Sequence, residues 1–176
     1  MDSRRPFLAI ALIAGLAFLT GCGYHTVGSA THIPANVRTI AVPVFATHAQ
    51  AFRTEVAFTQ AVVRELNTRT NRRIVTQNAP DVDAVLSGTV LSQTTVPLTY
   101  DSSSGETSSY IITITVKVVL TARDGRVLYQ NDALSYREQY QSTQDLSGFI
   151  REDPAAVNRL ARDFAQALVG DMLESF

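Results

Sequence analysis

The sequence predicts an α+β fold, a two-layer sandwich in which one mixed, mostly antiparallel β-sheet of four to five strands carries two α-helices on one face. The chain has 176 residues, 45% hydrophobic and 18% charged, as is typical of a single globular domain. Stretches after Asp83 alternate apolar and polar residues with the period of a strand. Two other segments repeat apolar residues every three or four positions, as a helix does. Because each predicted element has one apolar side, the helices and the sheet bury these sides against each other.

The first predicted strand covers residues 37–45. Its alternation places Ile40, Val42 and Val44 on one side. Pro43 lacks an N–H group, so it indicates an edge position or the end of the strand.

A helix is predicted to follow, from about Phe52 to Asn67, and then a short strand at Ile74 and Val75. The apolar stripe of this helix consists of Phe52, Val56, Val63 and Leu66. Glu65 and Arg69 form a favourable i, i+4 pair if the helix extends that far. A strand, a helix and a strand in this order imply a crossover, so the first two strands are expected to pair in parallel, or at least to be adjacent.

The rest of the sheet is predicted to be antiparallel. One strand places its apolar residues at even positions, namely Ala84, Leu86, Val90, Val96 and Leu98. After a loop over residues 101–109, the clearest strand runs from Tyr110 to Thr121, with a buried side and a mostly wet side. The wet side includes Thr113, Thr115, Lys117 and Thr121. The turn at Asp124-Gly125 leads to the last strand, over 127–140, with a bulge near Asn131-Asp132.

The second helix is predicted to begin with Asp153 as N-cap and Pro154 as the first helical residue, where a missing N–H costs nothing. Its apolar stripe consists of Val157, Leu160, Ala161, Phe164, Leu168 and Met172.

Strand direction brings two predicted loops, Thr99–Ser109 and Gln141–Glu152, to the same end of the sheet. Long loops on a rigid scaffold often carry contacts, so this end is the predicted functional edge. Tyr100 and Tyr110 flank the first loop and are predicted to anchor a partner. The alternative is that one or both tyrosines only complete the sheet.

Composition argues against nucleic-acid binding and against enzymatic chemistry. Fifteen Lys and Arg residues face 16 Asp and Glu residues, so no global field favours a polyanion such as nucleic acid. His25, His32 and His48 lack metal-ligand spacing, and no phosphate loop or nucleophile motif is present. We therefore expect a protein that is not an enzyme and holds no cofactor or metal. The one basic cluster consists of Arg64, Arg69, Arg72 and Arg73. It fits either the negative end of a helix dipole or an anion contact.

The amino terminus predicts a secreted, lipid-anchored protein. Two arginines precede the run from Phe7 to Leu19, which is too short to span a bilayer and fits a signal peptide over residues 1–21. The sequence Leu19-Thr20-Gly21-Cys22 resembles the bacterial lipobox, in which the Cys thiol is acylated. Residues 22–36 then form a lipidated tether and residues 37–176 one domain. With Gly23 after Cys22, the inner-membrane retention residue Asp is absent, which implies the outer membrane, with the domain on its periplasmic side.

Several short motifs together resemble the family of the lipopolysaccharide-assembly lipoprotein LptE (RlpB-like). These are Gly21-Cys22-Gly23-Tyr24-His25, Ile33-Pro34, the strand Val37–Val44, the segment Asp83–Gly88, and Tyr110 with its long strand. The resemblance implies a plug inside the LptD outer-membrane β-barrel that helps the barrel assemble and binds lipopolysaccharide. We expect Tyr24 to join Tyr100 and Tyr110 in partner contact. The predicted first loop offers only Asp101 and Glu106 as charged groups, so Arg137 and Arg151 are the nearest candidates for lipopolysaccharide phosphates.

One alternative is a periplasmic lipoprotein that activates a cell-wall synthase, since the strand Ile40–Phe45 followed by a helix also resembles that type of domain. Such an activator needs a long disordered tether. The 13 residues from Gly23 to Ala35 reach at most about 45 Å, which argues against it.

Overall fold

A computed structural model of the chain describes residues 32–49, 53–77, 79, 81–100, 107–141 and 146–174. The predicted signal peptide, Cys22, Tyr24 and most of the predicted tether lie outside this range. In chain order the elements are β1 (Thr39–Ala41), β2 (Ala46–Thr47), α1 (Thr54–Arg69), β3 (Arg73–Val75), β4 (Ala84–Tyr100), β5 (Thr107–Ala122), β6 (Val127–Gln141) and α2 (Leu146–Leu173).

The strands form one mixed six-stranded sheet in the order β3-β1-β4-β5-β6, with β2 paired to β4. β1 is parallel to β3, as the strand-helix-strand order predicts, and it is also parallel to β4. The long strands β4, β5 and β6 are antiparallel neighbours. The predicted α+β fold is confirmed. The sheet has one strand more than expected because the chain leaves β1 before Pro43 and returns to the sheet as the two-residue strand β2.

The core lies between one face of the sheet and the two helices. Every even-numbered residue from Ile112 to Leu120 in β5 is fully buried, as the alternation predicts. The predicted stripe of α2 is buried throughout. The rings of Phe58 in α1 and Phe164 in α2 meet with centroids 5.0 Å apart, so the helices also pack against each other. The pair Glu65–Arg69 forms as predicted, with N···O 3.9 Å.

The predicted stripe of α1 is correct at Leu66 but not at Val56 and Val63. Phe58, Val62 and Leu66 are fully buried, whereas Val56 and Val63 are only half-buried. Apolar side chains occur on most sides of this helix, so sequence spacing alone selects no unique buried side. The half-buried valines line an apolar groove together with Val42 and Val44.

The predicted burial of Val96 and Leu98 is also wrong, for a reason visible in the sheet register. Val90 pairs with Val116, but Ser92 pairs with Thr115, so β4 contains one extra residue between them. This bulge places the side chains that follow on the opposite face, and a second register shift between Pro97 and Thr99 leaves Leu98 without a paired residue in β5. Val96 therefore lies opposite Ile111 on the face without helices, and is 49% exposed. The predicted bulge in β6 is confirmed by the register shift opposite Val116 and Val118.

The second helix begins earlier than predicted. It starts at Leu146, so Asp153 is not its N-cap and Pro154 lies within it. In the sequence, Leu146, Phe149 and Ile150 continue the helical apolar spacing upstream of the proline. The helix therefore tolerates the loss of one backbone hydrogen bond at Pro154. Part of the predicted loop Gln141–Glu152 is consequently helical.

The described end of the predicted tether, residues 32–36, packs on the domain. Ile33 is fully buried, and the His32 N–H donates to the Met172 carbonyl at 3.1 Å. The Arg72 guanidinium donates to the carbonyl oxygens of Ile33 (3.1 Å), Pro34 (3.2 Å) and Val37. Arg72 thus fastens the entering chain to the start of β3, beside β1.

Two further contacts fix the centre and the base of the sheet. The Phe45 ring lies against Gly88 of β4, and the Phe45 N–H donates to the Thr59 hydroxyl at 2.9 Å. At the base, the Asp83 carboxylate accepts the N–H groups of Arg38 and Thr39, each at 2.9 Å. These backbone hydrogen bonds favour the charged form and lower the pKa of Asp83.

Candidate functional site

The far ends of the three long strands form the strand-end region, residues 95–100 of β4, 107–113 of β5 and 136–141 of β6. Pro97 pairs with Tyr110, which pairs in turn with Tyr140. The strand directions confirm the prediction that the connections after β4 and after β6 share one end. Beyond the base, β4 pairs on its other side with β2 only at Thr89 and Val90. In the described part of the chain, the strand-end region is thus a three-stranded blade.

Tyr110 lies on the helix-facing side of this blade. Its ring stacks on Tyr140 with centroids 5.7 Å apart and an interplanar angle of 20°. Tyr140 is buried and Tyr110 half-buried, so the arrangement fits the alternative in which Tyr110 completes the sheet. Tyr100 ends β4 opposite Thr107, and its side chain lies outside the described residues. Partner contact by Tyr24, Tyr100 and Tyr110 stays a prediction.

The two candidate arginines for lipopolysaccharide come from different elements. Arg137 is exposed on the helix-free face, opposite Thr113. Arg151 belongs to the first turns of α2, and its side chain lies outside the described residues. The described structure therefore does not bring the two guanidinium groups together, and their joint role stays a prediction.

The helix-free face of the sheet is polar with apolar residues interspersed. Lys117 pairs with Asp132 at 2.8 Å, and Thr115 donates to Ser135 at 3.4 Å. The Lys117 ammonium lowers the pKa of Asp132. The predicted wet side of β5 thus faces away from the helices.

Sequence reasoning missed two exposed apolar residues in the strand-end region. Val96 is 49% and Leu98 47% exposed, on either side of Pro97. Proline is typical of edge strands, so Pro97 was the available signal that this segment does not belong to a buried central strand. Exposed apolar side chains beside a helix-free face are suited to contact with another macromolecule.

The acidic groups and the buried tyrosine of the described residues are further candidate sites. They contain no group of three or more His, Cys, Asp or Glu side chains placed to hold a metal. The Tyr129 hydroxyl donates to Asp171 at 2.7 Å, and burial together with this carboxylate raises the pKa of Tyr129. Tyr129 joins β6 to α2, so this contact stabilises the fold. None of the described helices is both long enough and apolar enough to cross a bilayer.

The predicted basic cluster separates into different environments. Arg72 bonds to backbone carbonyls, and burial lowers its pKa. Arg69 pairs with Glu65 and lies 3.8 Å from Glu174. Arg73 is exposed on the edge strand β3. Arg64 lines a cavity together with Arg159 and Arg162 of α2.

Comparison with solved structures identifies proteins that share this fold. Rare lipoprotein B from Shewanella oneidensis superposes with a TM-score of 0.52 at 16% identity, over 75% of this chain and 92% of that one. The solution structure of lipoprotein B from Nitrosomonas europaea gives a TM-score of 0.52 at 13% identity, over 80% of this chain and 88% of that one. The fold is thus shared with small bacterial lipoproteins.

The family follows from the sequence itself. The family model LptE, described as lipopolysaccharide-assembly, matches residues 37–172. The chain belongs to the LptE family of lipopolysaccharide-assembly lipoproteins, as its motifs predict. The comparison with curated proteins gives no match.

Proposed function

We propose that this protein is an outer-membrane lipoprotein that plugs an LptD-type β-barrel, helps that barrel to assemble, and takes part in lipopolysaccharide export. The family match over residues 37–172 carries the proposal. The lumen of a large barrel is polar and wet, so a plug needs a self-contained core and a mainly polar exterior. The buried core and the polar helix-free face meet both conditions. In this role the protein is not an enzyme, needs no cofactor and binds no nucleic acid.

The anchor is the acylated thiol of Cys22, which holds the domain on the periplasmic side of the outer membrane. Each buried methylene of an acyl chain contributes about 0.8 kcal/mol, so two or three chains make the attachment durable. We expect Cys22→Ala to release the domain into the periplasm, because the core lies within residues 33–172. Membrane fractionation after a high-salt wash tests this, and unchanged pelleting of the variant would contradict the lipid anchor.

Partner contact is assigned to the strand-end region, with Tyr100 and Tyr110 as predicted from the sequence and Tyr24 near the anchor. The exposed Val96 and Leu98 lie at the same end of the sheet, with Val96 on the helix-free face, opposite to the face that carries Tyr110. Arg137 and Arg151 are the proposed contacts for lipopolysaccharide phosphates, since a guanidinium grips phosphate through two donors.

A co-purification experiment tests the barrel partnership. The full chain is tagged at its carboxyl end, extracted in mild detergent, and its companions are identified by mass spectrometry. We expect a large outer-membrane β-barrel, and recovery of none would contradict the proposal.

A variant and a matched control then locate the contact. Val96→Ser with Leu98→Ser should reduce recovery of the barrel. Val127→Ser changes a residue of similar exposure, 55%, at the opposite end of the sheet, and should leave recovery unchanged. If the barrel is recovered equally well with the Val96/Leu98 double variant and with Val127→Ser, the strand-end region is not part of the interface.

The alternative function, activation of a cell-wall synthase, becomes less favourable. Because His32 is already bonded to Met172 on the domain, only nine residues, or ten Cα–Cα steps, separate it from Cys22. These reach at most about 36 Å. The same pull-down separates the two functions, since a synthase in place of a barrel supports the alternative.

A further inference from the structure

Residues 32–37, called the strap below, pack on the base of the domain without joining the sheet, because β1 begins only at Thr39. Ile33 is fully buried and Val37 is 3% exposed, so the strap inserts two apolar side chains into the core. Residues 35–36 between them are exposed. The strap therefore has one side in the core and the other in solvent.

A single side chain, Arg72, makes three hydrogen bonds to the strap. Its guanidinium donates to the carbonyl oxygens of Ile33, Pro34 and Val37. The strap is also bonded at its upstream end, where the His32 N–H donates to the Met172 carbonyl at 3.1 Å. Because one planar guanidinium serves three carbonyls, its loss weakens most of the strap at once.

The next part of the chain is held by a different group. The Asp83 carboxylate accepts the N–H groups of Arg38 and Thr39, each at 2.9 Å. From Thr39 onward β1 pairs with β3, and from Ile40 it also pairs with β4. The chain is thus held by two attachments in series, Arg72 on the strap and Asp83 at the start of β1.

The two attachments differ in what their loss would disrupt. β1 lies between β3 and β4, so removing it would break two strand pairs. The strap belongs to no strand. Local opening of a segment outside the sheet requires less free energy than loss of a central strand. The strap can therefore open while Asp83 still holds β1 in place.

We propose that the strap is a releasable attachment that gives the lipid tether two lengths. With the strap docked, nine residues lie between Cys22 and His32, and they reach at most about 36 Å. With the strap released, the 15 residues 23–37 lie between Cys22 and Arg38, and they reach at most about 58 Å. The docked strap keeps the base close to the bilayer, and release lets the domain move farther from it. The two lengths rest on the proposed acylation of Cys22, whereas opening of the strap does not.

Hydrogen exchange tests the strap directly. It is followed residue by residue by NMR on the full lipidated protein in detergent micelles. The N–H groups of His32 and Val37 report on the strap, and that of Val42, which donates to Val75 of β3 at 2.8 Å, reports on the sheet. We expect Arg72→Met to raise exchange of the strap reporters by about 10-fold or more, and to change that of Val42 by less than about threefold.

Matched variants separate this effect from general loss of charge or stability. Arg73→Met removes an exposed arginine of β3 next to Arg72 and should leave all three reporters unchanged. Asp83→Ala removes the second attachment and should raise exchange at residues 38–39 more than in the strap. If Arg72→Met accelerates the strap and Val42 equally, the base opens as one unit and the proposal is overturned. If it accelerates neither, Arg72 does not hold the strap, and the proposal is overturned as well.

Energy transfer measures the length of the tether. Cys22 is the single cysteine of the chain, so once it is acylated a dye can be placed selectively on Val127→Cys, a position at the base that is 55% exposed. The acceptor is carried by headgroups in vesicles of phosphatidylethanolamine and phosphatidylglycerol. We expect Arg72→Met to lower the transfer efficiency and Arg73→Met to leave it unchanged. Equal transfer in both variants would overturn the two-length tether. Failure to associate with the vesicles would instead contradict the proposed lipid anchor, and the exchange experiment still decides whether the strap opens.

Discussion

Replacement of Gly88 by Ala should destabilise the domain by about 1–2 kcal/mol. A Cβ atom at this position would meet three carbons of the Phe45 ring, all well inside 3.0 Å. Phe45 is buried, and its backbone is bonded to Thr59, so the ring has little room to retreat. Overpacking of this kind costs about 1–3 kcal/mol. Ala restricts the unfolded chain more than Gly does, which returns about 0.4–1 kcal/mol.

The assay is equilibrium unfolding in urea together with thermal melts, where the expected loss corresponds to a Tm lower by about 3–8 °C. Ser87→Ala, on the exposed face of the same strand, is the matched control and should change stability by less than about 0.5 kcal/mol. In a Phe45→Leu background the ring is absent, so the added cost of Gly88→Ala should nearly vanish. An equal cost in both backgrounds would refute the proposed contact.

Three other contacts give predictions that urea titration can check. Arg72→Met should cost about 1–3 kcal/mol because three carbonyls lose their donor, and Arg72→Lys should recover little of it, since a compact ammonium lacks the fork. Because the pKa of Asp83 is lowered in the folded state, its charged carboxylate contributes stability above about pH 4. This contribution is lost as the pH falls through the folded-state pKa, so the stability of Asp83→Asn should be less sensitive to acid than that of the wild type. The pKa of Tyr129 is raised, so the wild type should lose stability above about pH 10, where the unfolded phenol ionises first. Tyr129→Phe should lack that loss, and should be less stable by about 1–2 kcal/mol at neutral pH.

The elements predicted best are those whose period is long and uninterrupted. β5 alternates without a break, and the α2 stripe repeats from Val157 to Met172, so each has one possible buried side. The parallel pairing of β1 with β3 followed from the order of elements, because a helix between two strands needs a crossover.

The errors in predicting burial and helix limits arose mainly where a single residue determined the placement of several others. The extra residue between Val90 and Ser92 reversed the faces of the β4 segment beyond it, and no glycine marks that position. Pro154 is typical of a first helical turn, yet the apolar spacing upstream of it prevailed. α1 has apolar residues on most sides, so tertiary packing chose the buried one.

The candidate sites were less predictable than the fold. The strand-end region could be placed because antiparallel pairing determines which connections lie together. The cavity lined by Arg64, Arg159 and Arg162 could not be predicted, since these arginines come together only through the packing of α1 on α2. The arginines between Arg64 and Arg73 are close in the sequence, but the same packing places them in different environments.

The entry point of the chain has a mechanical consequence. Residues 32–37 join the domain at the base of the sheet, beside Asp83 and Ala122. β4 has 17 residues, so its far end lies about 55 Å away. Any pull exerted from upstream of His32 is therefore received by the Arg72 contacts and the parallel strands at the base. Because the strand-end region lies so far from this attachment, a small rotation of the domain about residues 32–37 would displace the strand ends much more than the base.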